Sequence, residues 1–193
     1  MSMEAPLADL LARPAPEAAS GLIGAQILIS GVGGIIVETE AYDAADPASH
    51  SFRGPTPRNA PMFGSAGLVY VYRIYGLHWC LNIVCDVSAP GSAVLIRAIE
   101  PRRGLDLMAE RRGGARTRDL CAGPGRLCQA LAVTSALNGA RIDRPPFTLD
   151  LGEPAPVVVG PRIGIRHGVE TPWRFGLAGS PWLSRPFSKD VGS

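Results

Sequence analysis

Residues 68–87, LVYVYRIYGLHWCLNIVCDV, decide the fold. Leu68 to Ile74 is β-branched and aromatic, a composition that suits a pleated, half-buried surface. Tyr75-Gly76 supplies a turn, and Trp79 to Val87 returns as the partner strand, so the segment reads as a hairpin. Downstream, AVLIRAI at 93–99 reads as a further strand, ended by Pro101. Upstream, AQILIS (25–30) and IIVETEAY (35–42) flank a GVGG turn at 31–34 and make a second hairpin. More strands are expected near 147–151, 156–165 and 173–178. Helical stretches are short: 6–13, one opened by Pro16 and stopped at Gly24, 104–112, and one starting at Pro124. Asp43 to Ala60 is a polar loop with three prolines, and Gly113-Gly114 opens another loop. Many strands with few helices predict an α+β fold around a curved, mostly antiparallel sheet with a protruding β-hairpin. The sequence shows no internal repeat and no linker, which predicts one domain over 1–193, with 1–13 and 186–193 as loosely ordered tails.

The composition agrees. A chain of 193 residues, 46% hydrophobic, is long enough for one buried core. Its 23 glycines and 18 prolines favour turns over long helices. The longest apolar stretch, Leu22 to Val37, is broken by Gln26, Ser30 and four glycines, too short and interrupted to span a bilayer. The opening MSMEAPLADL lacks a signal-peptide pattern, so the expected setting is the cytoplasm, without membrane contact. Cys80, Cys85, Cys121 and Cys128 form no CxxC pair, and reduced, half-buried thiols are expected rather than a metal site. A zinc site built from these cysteines with His50, His78 and His167 stays open as an alternative.

Net charge is only +2, yet its carriers are biased: 18 of the 19 basic residues are arginine, and Lys189 is the only lysine. That bias suggests a GC-rich bacterial gene. Between 102 and 126 stand Arg102, Arg103, Arg111, Arg112, Arg116, Arg118 and Arg126 against Asp106, Glu110 and Asp119, a local balance of +4. Such a patch is either a solvated face or a phosphate-contacting one.

Several residues could carry chemistry. Strand alternation puts Glu38, Glu40 and Tyr42 on one face, the two carboxylates about 7 Å apart. Such a pair can form a general base, a metal site or a glycosidase-like couple, or simply an exposed polar face. Tyr70 and Tyr72 share a face of the hairpin, and Tyr75 stands at its tip, where an aromatic gains little for folding but can enter a base stack. Arg97 inside an apolar strand must be paired, with Glu38 or Glu40 as the available partners. Asn82 inside a strand needs hydrogen-bond partners and could read a polar ligand edge. His50 lies in the polar loop, and Gly123-Pro124-Gly125 opens a helix.

Taken together, VETEAY (37–42), His50 followed by TPRNAPMF (56–63), the hairpin at 68–82, VLIRAIEP (94–101), LCAGPGRLCQAL (120–131) and GSPWLS (179–184) resemble the alkyladenine (3-methyladenine) DNA glycosylases of mammalian type, over about residues 14–184. The same fold resembles the C-terminal domain of methionyl-tRNA formyltransferases. The resemblance implies a monomeric enzyme without cofactor or metal that acts on double-stranded DNA containing damaged purines. It implies that Glu40 activates the attacking water and that Tyr42, His50 and Tyr72 sandwich the flipped base. Tyr75 would fill the gap left in the duplex, Asn82 would discriminate against guanine's amino group, and Arg97 would lie near the flipped nucleotide. Arg58, Arg102, Arg103 and Arg126 are candidates for backbone phosphates. His78 departs from the family pattern, where an aromatic is usual, and the loop from Tyr42 to His50 is one residue shorter. Substrates implied are 3-methyladenine, 7-methylguanine, hypoxanthine and ethenoadenine, with base excision repair the process and a nucleoid-associated bacterial enzyme the setting. A glycosylase with a lyase step needs an amine. The only side-chain candidate is Lys189, four residues before the end of the sequence, so barring the N-terminal amine a monofunctional enzyme is expected. A non-catalytic nucleic-acid-binding module and a sugar hydrolase using Glu38 with Glu40 remain the competing readings.

Overall fold

The computed structural model describes residues 3–74 and 76–187. Two short helices, α1 (Ala5–Leu11) and α2 (Ala15–Gly21), precede strands β1 (Gln26–Ile29) and β2 (Val32–Tyr42). The hairpin strands are β3 (Val69–Ile74) and β4 (His78–Cys85), followed by the long β5 (Ser92–Arg103). Helices α3 (Leu105–Arg111) and α4 (Pro124–Ala130) lead to β6 (Phe147–Asp150), β7 (Val157–Gly160) and β8 (Arg174–Leu177). The pairings are antiparallel throughout, in the order β3-β4-β5-β2-β1-β6, with β8 and then β7 attached to the second half of β2. The result is one domain built on a curled antiparallel sheet with few short helices, an α+β fold as expected.

β2 is the organising strand. One edge pairs with β5 along most of its length, and the other is shared between β1 (Val32 to Ile35) and β8 (Glu38 to Glu40). Both edges are therefore paired over much of the strand, and Ile36, Val37, Glu38, Thr39, Glu40 and Ala41 are all buried. Burying a large aliphatic side chain contributes about 1.5–3 kcal/mol, which holds apolar neighbours such as Ile27, Ile96 and Ile99 in place. Thr39 donates its hydroxyl to the Ala19 carbonyl at 2.8 Å and so ties α2 to the sheet. The β1–β2 turn is tighter than the sequence suggested. Ser30 and Gly31 both have positive φ (51° and 79°), the geometry of a two-residue hairpin turn. Gly33 and Gly34 are thereby released into the strand, where a Cβ on Gly34 would stand 1.8 Å from the Glu100 carbonyl oxygen. Their absent side chains let β2 close against its neighbours.

Three expectations need correction. The N-terminal segment 1–13 is not a loose tail over its described part. α1 buries Leu7, Leu10 and Leu11, and the amides of Asp86 and Val87 donate to the Leu11 and Ala12 carbonyls. The period of apolar residues there already matched a helix face. β5 runs past Pro101 to Arg103, because a bulge opposite Gly33/Gly34 absorbs the proline's missing donor. The strand expected at 156–165 stops at Gly160, before Pro161, and residues 161–173 form a loop instead. Of the other expected tail, Phe187 packs under Arg174, 3.9 Å from its guanidinium, while 188–193 lie outside the described residues.

Candidate active site

Two compensating irregularities shape the site. Along β2 and β5 the partners run Ile36↔Ile99, Glu38↔Ala98 and Thr39↔Ile96, so Val37 and Arg97 are each an extra residue on their strand. Bulges re-aim side chains, and here the Arg97 guanidinium meets both carboxylates of β2: Nε to Glu38 Oε1 at 3.1 Å and Nη1 to Glu40 Oε2 at 3.3 Å. Both carboxylate side chains are 0% exposed, so the exposed-face reading of this pair fails.

The two carboxylates have different fates. Glu38 accepts from Arg97 Nε, Arg174 Nε, and the amide and hydroxyl of Ser184. Three of these donors share Oε1 and the Ser184 amide takes Oε2, so Glu38 is committed to structural partners and does not line the cavity. It binds the GSPWLS segment and β8 to the sheet. Glu40 accepts the Ile163 amide at 2.7 Å on Oε1 and the Tyr42 hydroxyl at 2.8 Å on Oε2, besides facing Arg97. It keeps one acceptor position, and it lines the cavity. Burial pushes the Glu40 carboxyl above the ordinary carboxylate range, against the opposing pull of Arg97, the Ile163 amide and the Tyr42 hydroxyl. A Glu38–Glu40 hydrolase couple is therefore not what this geometry builds.

The cavity beside Glu40 measures about 280 Å³. Tyr42, His50, Tyr72, Asn82 and Arg97 all line it with Glu40. The sequence positions that looked chemical thus converge on one space from β2, β3, β4, β5 and the 43–60 loop. His50 and Tyr72 meet edge to face with centroids 4.3 Å apart, and Tyr72 stacks on Tyr70 at 5.5 Å. His50 Nδ1 lies 3.0 Å from the Tyr70 hydroxyl. Burial, and then Arg58, lowers the His50 pKa, which favours the neutral ring. Burial also raises the hydroxyl pKa of Tyr42 and Tyr72, keeping both protonated. Asn82 donates to the Tyr70 carbonyl at 3.1 Å, across the hairpin pair that joins them. Tyr75 lies outside the described residues, between Ile74 and an exposed Gly76-Leu77 turn.

The arginines divide similarly. Arg58 donates to the Arg73 carbonyl at 2.9 Å and braces the hairpin near its tip. Arg102 pairs with Glu100 at 2.9 Å, and Arg126 lies 3.7 Å from Asp119; both remain half exposed. Arg103 is exposed. Arg111 and Arg112 donate to the carbonyls of Ala130 and Leu120 and knit the α3–α4 region together. All four cysteines are free and buried. Among the described residues, no group of three or more His, Cys, Asp or Glu is placed to hold a metal ion.

Comparison with known proteins places this arrangement. The model of the family described as methylpurine-DNA glycosylase (MPG) matches residues 9–181. The chain belongs to the methylpurine-DNA glycosylase family. A protein of Nitrosospira multiformis named "Putative 3-methyladenine DNA glycosylase" is 58% identical over 188 residues, covering 97% of each chain. Proteins of the same name from Rhodopseudomonas palustris and Agrobacterium fabrum are 57% and 56% identical, over 94% and 92% of this chain and 91% of each relative. This chain is similar to them along nearly its whole length.

Sequence reasoning missed three contributors to this family member's site. The Ile163 amide is a backbone donor, and nothing in a side-chain pattern announces it. Cys80 and the 163–167 segment also line the cavity. The Pro161 break in an otherwise strand-like run was the one available signal that this stretch leaves the sheet.

Proposed function

We propose that this member of the methylpurine-DNA glycosylase family removes alkylated and deaminated purines from double-stranded DNA by hydrolysing the N-glycosidic bond. The observation that carries the reading is Glu40: a fully buried carboxylate with one acceptor position left, on the wall of an aromatic cavity. A base inside a duplex cannot reach such a cavity, so the nucleotide rotates out, at a cost of a few kcal/mol that is least for a damaged base. Tyr42 on β2 and the cluster of His50 on the 43–60 loop with Tyr72 on β3 offer ring faces to the flipped base. A cationic alkylpurine gains cation–π attraction there of up to about 2 kcal/mol once desolvated. Hypoxanthine and ethenoadenine gain stacking only.

Glu40 then orients and deprotonates a water aimed at the anomeric carbon, and in its anionic form stabilises positive charge developing on the sugar. Arg97 holds the carboxylate in place, and Asn82 sets the limit on groups added to the purine edge. Tyr75 enters the vacated stack. Arg58, Arg102, Arg103 and Arg126 contact phosphates and make affinity salt-dependent. The enzyme works as a monomer, on the nucleoid of a bacterial cytoplasm. Its product is an intact abasic site, because Lys189 is the only lysine.

The test uses duplexes carrying a single hypoxanthine, a single ethenoadenine or no lesion, incubated with wild-type protein or Glu40→Gln and then cleaved at abasic sites with hot alkali. Lesion-specific strand cleavage by wild type alone, and only after alkali, is expected. Equal cleavage by Glu40→Gln sinks the assigned role. Lesion-dependent cleavage before alkali sinks the monofunctional reading, whether or not it survives Lys189→Ala.

A further inference from the structure

Arg162 opens the 161–173 loop, and its side chain is 0% exposed. It does not line the cavity, yet it contacts the Tyr42 ring and immediately precedes Ile163, both of which do. One nitrogen donates to the Ala41 carbonyl at 3.0 Å, between Glu40 and Tyr42 in the chain. The guanidinium pairs with both oxygens of Asp46, whose side chain is only 3% exposed. Asp46 in turn organises the turn leading to His50, accepting the Ala48 amide at 3.0 Å on Oδ1 and the Ser49 amide at 2.9 Å on its carbonyl. A further donation goes to the Gly168 carbonyl at 3.2 Å. The guanidinium also lies over the Tyr42 ring, 4.7 Å from its centroid, and 5.5 Å from that of Trp173. The next residue, Ile163, supplies the amide held on Glu40.

A buried ion pair is poor evidence for stability, because desolvation offsets the Coulomb gain. This one is imperfect as architecture as well: Arg162 Nε is buried without a hydrogen-bond partner. What the pair does supply is position, since a planar fork can fix several groups at once.

We propose that Arg162, locked to Asp46, is a positioning residue for base release: it sets the Ile163 amide on Glu40 and holds the Tyr42 ring at the cavity wall. The proposal rests on Glu40 being the group that activates water. Besides the Ile163 amide, the groups facing Glu40 are Tyr42 and Glu38 on β2, Arg97 on β5, Cys80 on β4, Arg174 on β8, and Arg162 itself. The amide bond favours the carboxylate form. Loosening the clamp removes that support and moves the acid limb of the reaction to higher pH.

The experiment compares wild type with Asp46→Asn and with the double variant Arg162→Met/Asp46→Leu. Apolar replacement of both members of a buried pair is often neutral for folding, so the double variant keeps the test open should Asp46→Asn not fold. The readouts are melting temperature, affinity for a lesion-containing duplex, and the single-turnover base-release rate against pH. The expected result is a folded variant with DNA affinity within about twofold of wild type, a rate lower by roughly 10- to 100-fold, and an acid limb displaced upward. A folded variant with unchanged rate and unchanged limb overturns the proposal, as does failure of both variants to fold, which would make the pair purely architectural. If Glu40→Gln retains the wild-type rate, the reading of Glu40 itself is wrong and the proposal falls with it; that outcome is seen without touching Arg162.

Discussion

Replacing Arg97 by methionine should expose how the two buried carboxylates are held. The substitution keeps a flexible apolar stem and removes the guanidinium that reaches both. Glu38 would keep Arg174 and Ser184, but Glu40 would lose its ion pair with Arg97 and retain the Ile163 amide and Tyr42 hydroxyl bonds. Removing one partner of a buried pair costs about 3–5 kcal/mol, because the other charge is left uncompensated. For a domain of this size each kcal/mol lowers the melting temperature by about 2–4 °C. Arg97→Met should therefore melt roughly 6–20 °C below wild type at neutral pH. In a Glu40→Gln background the same substitution strands only the better-satisfied Glu38, and the loss should be clearly smaller. The difference between the two losses is a coupling energy, expected at about 0.5–3 kcal/mol. Thermal denaturation followed by circular dichroism on the four proteins measures it. A drop of under about 2 °C, or equal drops in both backgrounds, would refute the claim that Arg97 is the electrostatic support of Glu40.

Two further outcomes follow from the same geometry. Burial raises the Glu40 pKa above its ordinary 4.5, so the folded state takes up this proton more readily than the unfolded chain does. Glu40 thus favours folding below that ordinary value, and the contribution is lost as pH rises through the raised one. Glu40→Gln lacks this dependence, so its melting temperature should gain on wild type as pH climbs through the window; a constant gap would contradict the assignment. The second outcome concerns Gly34, where an added Cβ would meet the Glu100 carbonyl oxygen, a main-chain atom, at 1.8 Å. Gly34→Ala should destabilise by at least about 3 kcal/mol and lose soluble expression, and a soluble protein with wild-type melting would show that β2 and β5 pack less closely than described.

Much of the site was legible because strands write their faces into sequence with period two. Tyr70 and Tyr72 on one strand, Asn82 on its partner, and Glu40 with Tyr42 on a third needed only the correct hairpins to converge. Arg97 was legible for a different reason: a guanidinium inside AVLIRAI has to find a carboxylate. What stayed hidden depends on register and on backbone. The bulges at Val37 and Arg97 leave no mark in residue pattern, so the separate duties of Glu38 and Glu40 could not be told apart from their spacing. The Ile163 amide, the Arg162–Asp46 clamp and the Ser184 bonds to Glu38 join residues more than a hundred positions apart. Pro101 misled because a strand normally ends at proline, and only the paired glycines opposite explain why this one continues.

The most direct test of Glu40 as the water-activating group is to incubate methylated double-stranded DNA with wild type or Glu40→Gln, at matched DNA occupancy, and quantify free 3-methyladenine and 7-methylguanine by mass spectrometry. The account predicts that wild type releases free bases in step with new abasic sites, while Glu40→Gln binds the same DNA and releases almost none. Base release by Glu40→Gln at the wild-type rate would contradict it.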